Sequence, residues 1–116
     1  MDPIELIAAE RRRQVAVEGW TPEHDDAHDE SEMAWAAACY AAPAPIKAEV
    51  DVPCNCREAS CHHLFGRVGT TWADAWPWEA QYDKRGKHDR MRCLVIAGAL
   101  IVAEIERLQR DGSTVE

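Results

Sequence analysis

The sequence lacks an apolar run long enough to cross a membrane. The longest such run, residues 93–103, is about half of the roughly 20 residues that a spanning helix needs. The N-terminus also lacks the pattern of a secretion signal, in which a basic start precedes an apolar stretch. These absences predict a cytoplasmic protein that has no membrane partner.

The common signatures of catalysis and of nucleic-acid binding are absent too. The chain has no Gly-rich phosphate loop and no serine in a recognisable nucleophile setting. Its formal charge of -8 argues against wrapping a nucleic-acid backbone, because such binding requires a basic surface. At 116 residues the chain is long enough for one modest domain but not for two.

Three segments have the pattern of principal helices, and they cover residues 3–18, 29–42 and 87–110. Pro3 stands at the favoured first position of the first helix. Thr21 and Pro22 give another start signal, which predicts a short helical turn before the alanine-rich second helix. The last helix has a sustained apolar stripe, and Gly98 in its middle predicts a close crossing with another helix.

Residues 43–71 have no sustained helical period and hold three of the six prolines. A loop of this length is uncommon in a compact domain unless function or a covalent or metal staple explains it. The sequence therefore predicts an all-α fold over residues 1–116. Three principal helices form a small bundle, and a long irregular insert separates the second helix from the third.

Three cysteines and two histidines are concentrated within this insert, in CNCREASCHH. The spacing predicts a structural zinc site with Cys54, Cys56, Cys61 and His63 as ligands, and His62 competes for the fourth position. Burial of the few apolar side chains of the insert falls short of the cost of ordering its backbone, and zinc would supply the difference. Free thiols and a disulfide are the alternatives, of which the disulfide is weakened by the odd cysteine count.

A second cluster, EHDDAHDESE at residues 23–32, concentrates acidic side chains and histidines. If this segment is helical, Asp25 and Asp29 share a face, and with Asp26 they offer carboxylates of the kind that bind magnesium. The simpler interpretation is acidic charge near a helix N-terminus, where the helix dipole favours it without any ligand.

Tryptophan and basic residues mark a third candidate region, which begins at WPW. Trp76 and Trp78 either pack on the helices or form a surface for stacking or for a protein partner. A basic run follows, with Lys84, Arg85, Lys87 and Arg90. It leads into the last helix, whose first backbone N–H groups favour phosphate.

The stretches ERRRQVAVEGWTPEHDDAH, EMAWAAACYAAP, WPWE and AGALIVAEIERL together resemble a family of small phage and prophage proteins of unassigned function. The likeness covers the first 43 residues and about the last 40. The order of these stretches is also similar, distantly, to the MazG-type all-α nucleoside triphosphate pyrophosphohydrolases. Those enzymes hold magnesium between an E-E-x-x-E helix and a later E-x-x-D helix.

The resemblance to the MazG type implies a homodimer. It also implies that Asp25, Asp26 and Asp29 correspond to the first magnesium-binding motif. The second motif is missing from the last helix, which favours binding over hydrolysis. We therefore expect an accessory protein that binds a host defence component, in the manner of anti-CRISPR inhibitors, or a nucleotide. A magnesium-dependent pyrophosphohydrolase is the alternative.

Overall fold

The computed structural model describes residues 1–53 and 67–115. The elements along the chain are α1 (Pro3–Ala16), α2 (Pro22–Asp26), α3 (Glu32–Ala41), β1 (Lys47–Pro53), β2 (Arg67–Asp74) and α4 (Arg90–Arg110). Two short 3-10 turns, Ala80–Tyr82 and Arg85–Lys87, lie between β2 and α4. None of the helices in the described ranges combines the length and the hydrophobicity that a transmembrane span requires.

Side-chain caps fix where three of the helices begin. Asp2 accepts a hydrogen bond from the backbone N–H of Glu5 at 2.9 Å, and Pro3 follows it at the first helical position. Thr21 caps α2 in the same way, and Asp89 caps α4 by accepting from the N–H of Arg92 at 2.8 Å. Each cap satisfies a backbone donor that the first helical turn leaves unpaired.

The core forms where α3 packs against α4. It consists of the buried side chains of Ala36, Ala37, Tyr40, Cys93, Ile96, Ala97 and Leu100. The alanines on both helices are short, so the two backbones can approach closely. The α1 helix crosses α4 at Gly98, where a Cβ atom would lie 2.6 Å from the Cδ1 atom of Ile7. The close crossing predicted from Gly98 is therefore present.

The prediction of an all-α fold is wrong, because residues 47–74 contain a β-hairpin. Strands β1 and β2 pair antiparallel, from Lys47 opposite Asp74 to Val52 opposite Gly69, and an irregularity follows at Pro53. The segment KAEVDV alternates charged and apolar residues, which is the pattern of a strand. The two strands make most of their tertiary contacts with each other and few with the helices.

Candidate functional site

Asp25, one of the three predicted magnesium ligands, is an internal ion-pair partner. Its side chain is only 1% exposed, and its Oδ2 atom accepts from Nη2 of Arg11 at 2.7 Å. The Nε atom of Arg11 donates to Glu106 at 2.8 Å. The carboxylate thus ties α2 to α1, and Arg11 ties both to α4. This geometry serves to hold three helices together.

The other two aspartates do not share a face with Asp25. The α2 helix ends at Asp26, so the helical spacing that would align Asp25 with Asp29 is not realised. Asp26 is exposed and accepts from Nη2 of Arg110 at 2.8 Å, and Asp29 is exposed as well. Within residues 1–53 and 67–115, no three His, Cys, Asp or Glu side chains come together in a way that could hold a metal ion.

A second buried carboxylate, which no motif in the sequence marked as a candidate, lies on α1. The side chain of Glu10 is fully buried and accepts two hydrogen bonds from Nη2 of Arg92, at 2.7 and 2.8 Å, and others from Arg13. Neighbouring Gln14 is 1% exposed, and neither atom of its amide has a partner within the described residues. In the sequence, the spacing of three residues between Glu10 and Arg13 in ERRR indicated that the two side chains could form an ion pair on a helix.

The histidines of the acidic cluster belong to an aromatic group. Trp20 stacks on His24 with the ring planes 5° apart, and His28 lies 4.9 Å from His24 and 5.3 Å from Trp78. The Nδ1 atom of His28 lies 2.9 Å from Glu32. Burial raises the pKa of Glu32, but the hydrogen bond with His28 and the hydrogen bonds from backbone N–H groups together outweigh it and leave the pKa lowered. The group joins α2 to the segment that follows β2.

The predicted tryptophan surface is partly turned inward. Trp76 and Trp78 are half-buried against the helical core, and their rings meet edge to face at 5.5 Å. The guanidinium of Arg85 lies 5.2 Å from the centre of the Trp76 ring and also pairs with Asp83. The hydrogen bond from Arg85 lowers the pKa of Asp83. Arg85 is therefore already engaged by Asp83 and Trp76.

Three of the four basic residues predicted to bind an anion are exposed: Lys84, Lys87 and Arg90. In the described part of the chain, none of them has a carboxylate within ion-pair distance. We use the name basic arm for residues 76–90. Its backbone is tied to α3, because the N–H of Lys84 donates to the hydroxyl of Tyr40 at 3.3 Å.

A cleft of about 300 Å³ lies between the basic arm and the end of α3. Its lining is mainly apolar and includes Cys39, Tyr40, Pro43, Pro45 and Cys93, and Arg85, His88 and Arg90 add polar groups. Burial raises the pKa of the Cys39 thiol, which keeps this thiol protonated and unreactive. The cleft offers an apolar wall beside Arg90, a cation with no ion-pair partner among the residues that the structure describes.

The N-terminus of α4 is a poorer anion site than the sequence predicts. Asp89 already accepts from the N–H of Arg92, so an anion at this helix end would approach a carboxylate.

The predicted zinc ligands, Cys54, Cys56, Cys61 and His63, lie outside the described residues, as does His62. Comparison with protein-family models, curated proteins and solved structures gave no match.

Proposed function

We propose that this chain is a phage or prophage accessory protein that acts by binding, and that the basic arm is its binding surface. One observation carries the proposal: three exposed cations, which have no carboxylate partner among residues 1–53 and 67–115, project from a chain whose formal charge is -8. Local positive potential on an acidic protein attracts an anionic partner and leaves the rest of the surface repulsive. The adjoining cleft would hold the apolar part of such a partner.

A nucleotide is the ligand that this surface fits best. Its phosphates would contact Arg90, which lines the cleft, and Lys87, which is exposed between the lining residues Gly86 and His88. Its base would lie against the apolar wall that Tyr40 and the prolines form. The cleft volume is at the lower end of the range for small-molecule sites. The anti-defence role that we propose is to sequester a nucleotide or to present the same cations to an acidic host defence protein.

The free thiols of Cys39 and Cys93 suit a reducing compartment, which supports the host cytoplasm as its location. The proposal also includes a structural zinc in the Cys-rich segment and a second copy of the chain as a partner. Hydrolysis is the weaker alternative, because Asp25 and Asp26, two of the three aspartates that it requires, are engaged by Arg11 and Arg110.

Calorimetric titration of the purified protein with ATP at low salt tests the proposal. The expected result is binding that weakens about tenfold in Arg90→Gln and in Lys87→Gln, because a charge-assisted hydrogen bond contributes about 1.5–3 kcal/mol. Arg12→Gln is the matched control, since Arg12 is exposed on α1 away from the basic arm. Its affinity should equal that of the unchanged protein.

Two outcomes would contradict the proposal. The first is a protein that binds no nucleotide, or binds it equally well after both arm substitutions. The second is release of diphosphate from nucleoside triphosphates with magnesium that Asp26→Asn and Asp29→Asn abolish, which would establish the pyrophosphohydrolase instead. These two exposed positions are better probes than Asp25, whose replacement would disturb the core.

A further inference from the structure

The β-hairpin has an open strand edge on each side. In the described part of the chain it is a two-stranded sheet, so β1 and β2 each pair on one side only. An open edge presents backbone N–H and C=O groups to which another extended chain can pair. Natural proteins commonly protect such an edge with charged side chains or with proline. The two edges of this hairpin differ in that protection.

The β1 edge is protected and the β2 edge is not. Charged residues alternate along β1, and proline ends it: Lys47, Glu49, Asp51 and Pro53. In β2, residues 69–73 include no charged residue and no proline. Two threonines and Trp72 in this run favour an extended backbone. The β2 edge is therefore the one to which a further strand can be added.

The ladder of hydrogen bonds shows which backbone groups of β2 face outward. The N–H of Ala75 donates to the carbonyl of Ile46 at 2.9 Å, just beyond the last residues of the paired strands. Because bonded and non-bonded pairs alternate along an antiparallel ladder, every second residue back from Ala75 bonds to β1. The N–H and C=O groups of Thr70 and Trp72 thus point away from β1. Within residues 1–53 and 67–115 they have no backbone partner.

The side chains of the hairpin separate into a charged side and an uncharged side. Opposed residues of a ladder point to the same side of the sheet. Trp72, which is 64% exposed, lies opposite Glu49, and Asp74 shares their side. Arg85 pairs with Asp74 at 3.4 Å, whereas Glu49 is exposed. The other side has only small or apolar residues: Ala48, Val50, Val52, Gly69, Thr71 and Ala73.

We propose that the β2 edge binds an extended segment of a protein partner in which basic residues alternate with apolar ones. The backbone of the segment bonds to the outward groups of Thr70 and Trp72. Its basic side chains lie on the ring of Trp72 and reach towards Glu49, and its apolar side chains extend the uncharged side. The β2 strand of a second copy lacks such basic residues between Gly69 and Asp74. Since the partner is basic, the proposal is independent of the basic arm, which attracts anions.

Fluorescence anisotropy of a labelled peptide in which lysine alternates with valine tests the proposal with the full chain. The peptide should bind, and Trp72→Ala should weaken its binding about fivefold, because the exposed ring and its contact with a cation are lost. Trp35→Ala is the matched control, since Trp35 is 45% exposed on α3, and it should bind as the unchanged protein does. No binding, equal binding of a peptide with glutamate in place of lysine, or equal losses in the two variants would overturn the proposal.

Amide hydrogen exchange tests the pairing of the backbones. Saturating peptide should slow exchange at Thr70 and Trp72 about tenfold and leave Glu49, on the β1 edge, unchanged. Lys87→Gln should give the same protection, because it alters only the basic arm. A peptide with methylated backbone nitrogens should not bind, since it cannot donate to the edge. Binding of that peptide, protection at Glu49 instead, or protection that rises with protein concentration in the absence of peptide would overturn the proposal; the last result would show that a second copy occupies the edge.

Discussion

Buried charge is the main polar feature of the helical core at the scale of single residues. Asp25 and Glu10 both have carboxylates with almost no exposure, and each is held by arginine. A buried ion pair contributes little net stability compared with a well-packed apolar pair. Removal of one partner is costly, because the other charge is then left in a medium that cannot solvate it.

Arg11→Met should therefore lower the free energy of unfolding by about 3–5 kcal/mol, since it leaves Asp25 buried without its arginine. Urea unfolding at pH 7 measures this loss. Arg12→Met, at the exposed next position, should change the free energy by less than about 0.5 kcal/mol. Equal effects of the two substitutions would show that the Arg11 pair has no structural role.

At the scale of elements, the crossing of α1 over α4 depends on the absence of a side chain at residue 98. A Cβ atom there would lie 2.6 and 2.8 Å from two carbons of Ile7, closer than atoms pack. Alanine is the better helix former by about 1 kcal/mol, so two effects of similar size oppose each other. The clash should prevail, because the crowded carbons belong to a packed isoleucine.

We expect Gly98→Ala to lower the melting temperature in the unchanged background and to raise it when Ile7→Ala is also present. The alanine at residue 7 removes the clash, so that only the gain in helix propensity remains. Thermal unfolding of the four chains in this double-mutant cycle measures the coupling between the two sites. The same change in both backgrounds would mean that α1 does not approach Gly98 closely.

The hairpin shows why one element escaped prediction. Residues 43–71 have no apolar period at helical spacing, whereas the alternation of Ala48, Val50 and Val52 with charged residues indicates a strand. Pairing with β2 over a long connection is a non-local event that no local pattern encodes. The helix starts were predictable, because Asp2 and Thr21 are caps whose effect reaches only three residues.

At the scale of the whole molecule, the sequence shows which residue types form the candidate site but not which residues they pair with. The sequence shows that Asp25 is close to Asp29 along the chain, yet only the fold brings Arg11 to Asp25 and ends α2 before Asp29. Lys87 and Arg90 are exposed, whereas the Trp76 ring packs against Tyr40. Ion pairs between residues far apart in the sequence therefore determine which charged side chains are engaged inside the fold.

The Cys-rich segment gives the last prediction, because it joins two strands that contact the helices little. Pro53 pairs with Arg67, so the segment begins and ends at adjacent points. A two-stranded hairpin is marginally stable alone, and zinc bound by Cys54, Cys56, Cys61 and His63 would add folding energy to it. Protein purified without added metal should contain about one zinc per chain. Chelation should remove hydrogen-exchange protection from β1 and β2 but preserve it in α4.

Cys54→Ser and Cys61→Ser should reproduce the effect of chelation, because each removes a thiolate ligand. Ser60→Ala, in the same segment but without a predicted ligand role, is the control and should retain the metal. The hairpin makes few contacts with the helices, so its loosening should leave the helical circular dichroism nearly unchanged. A metal-free chain whose hairpin amides are protected equally with and without chelator would rule out the zinc site.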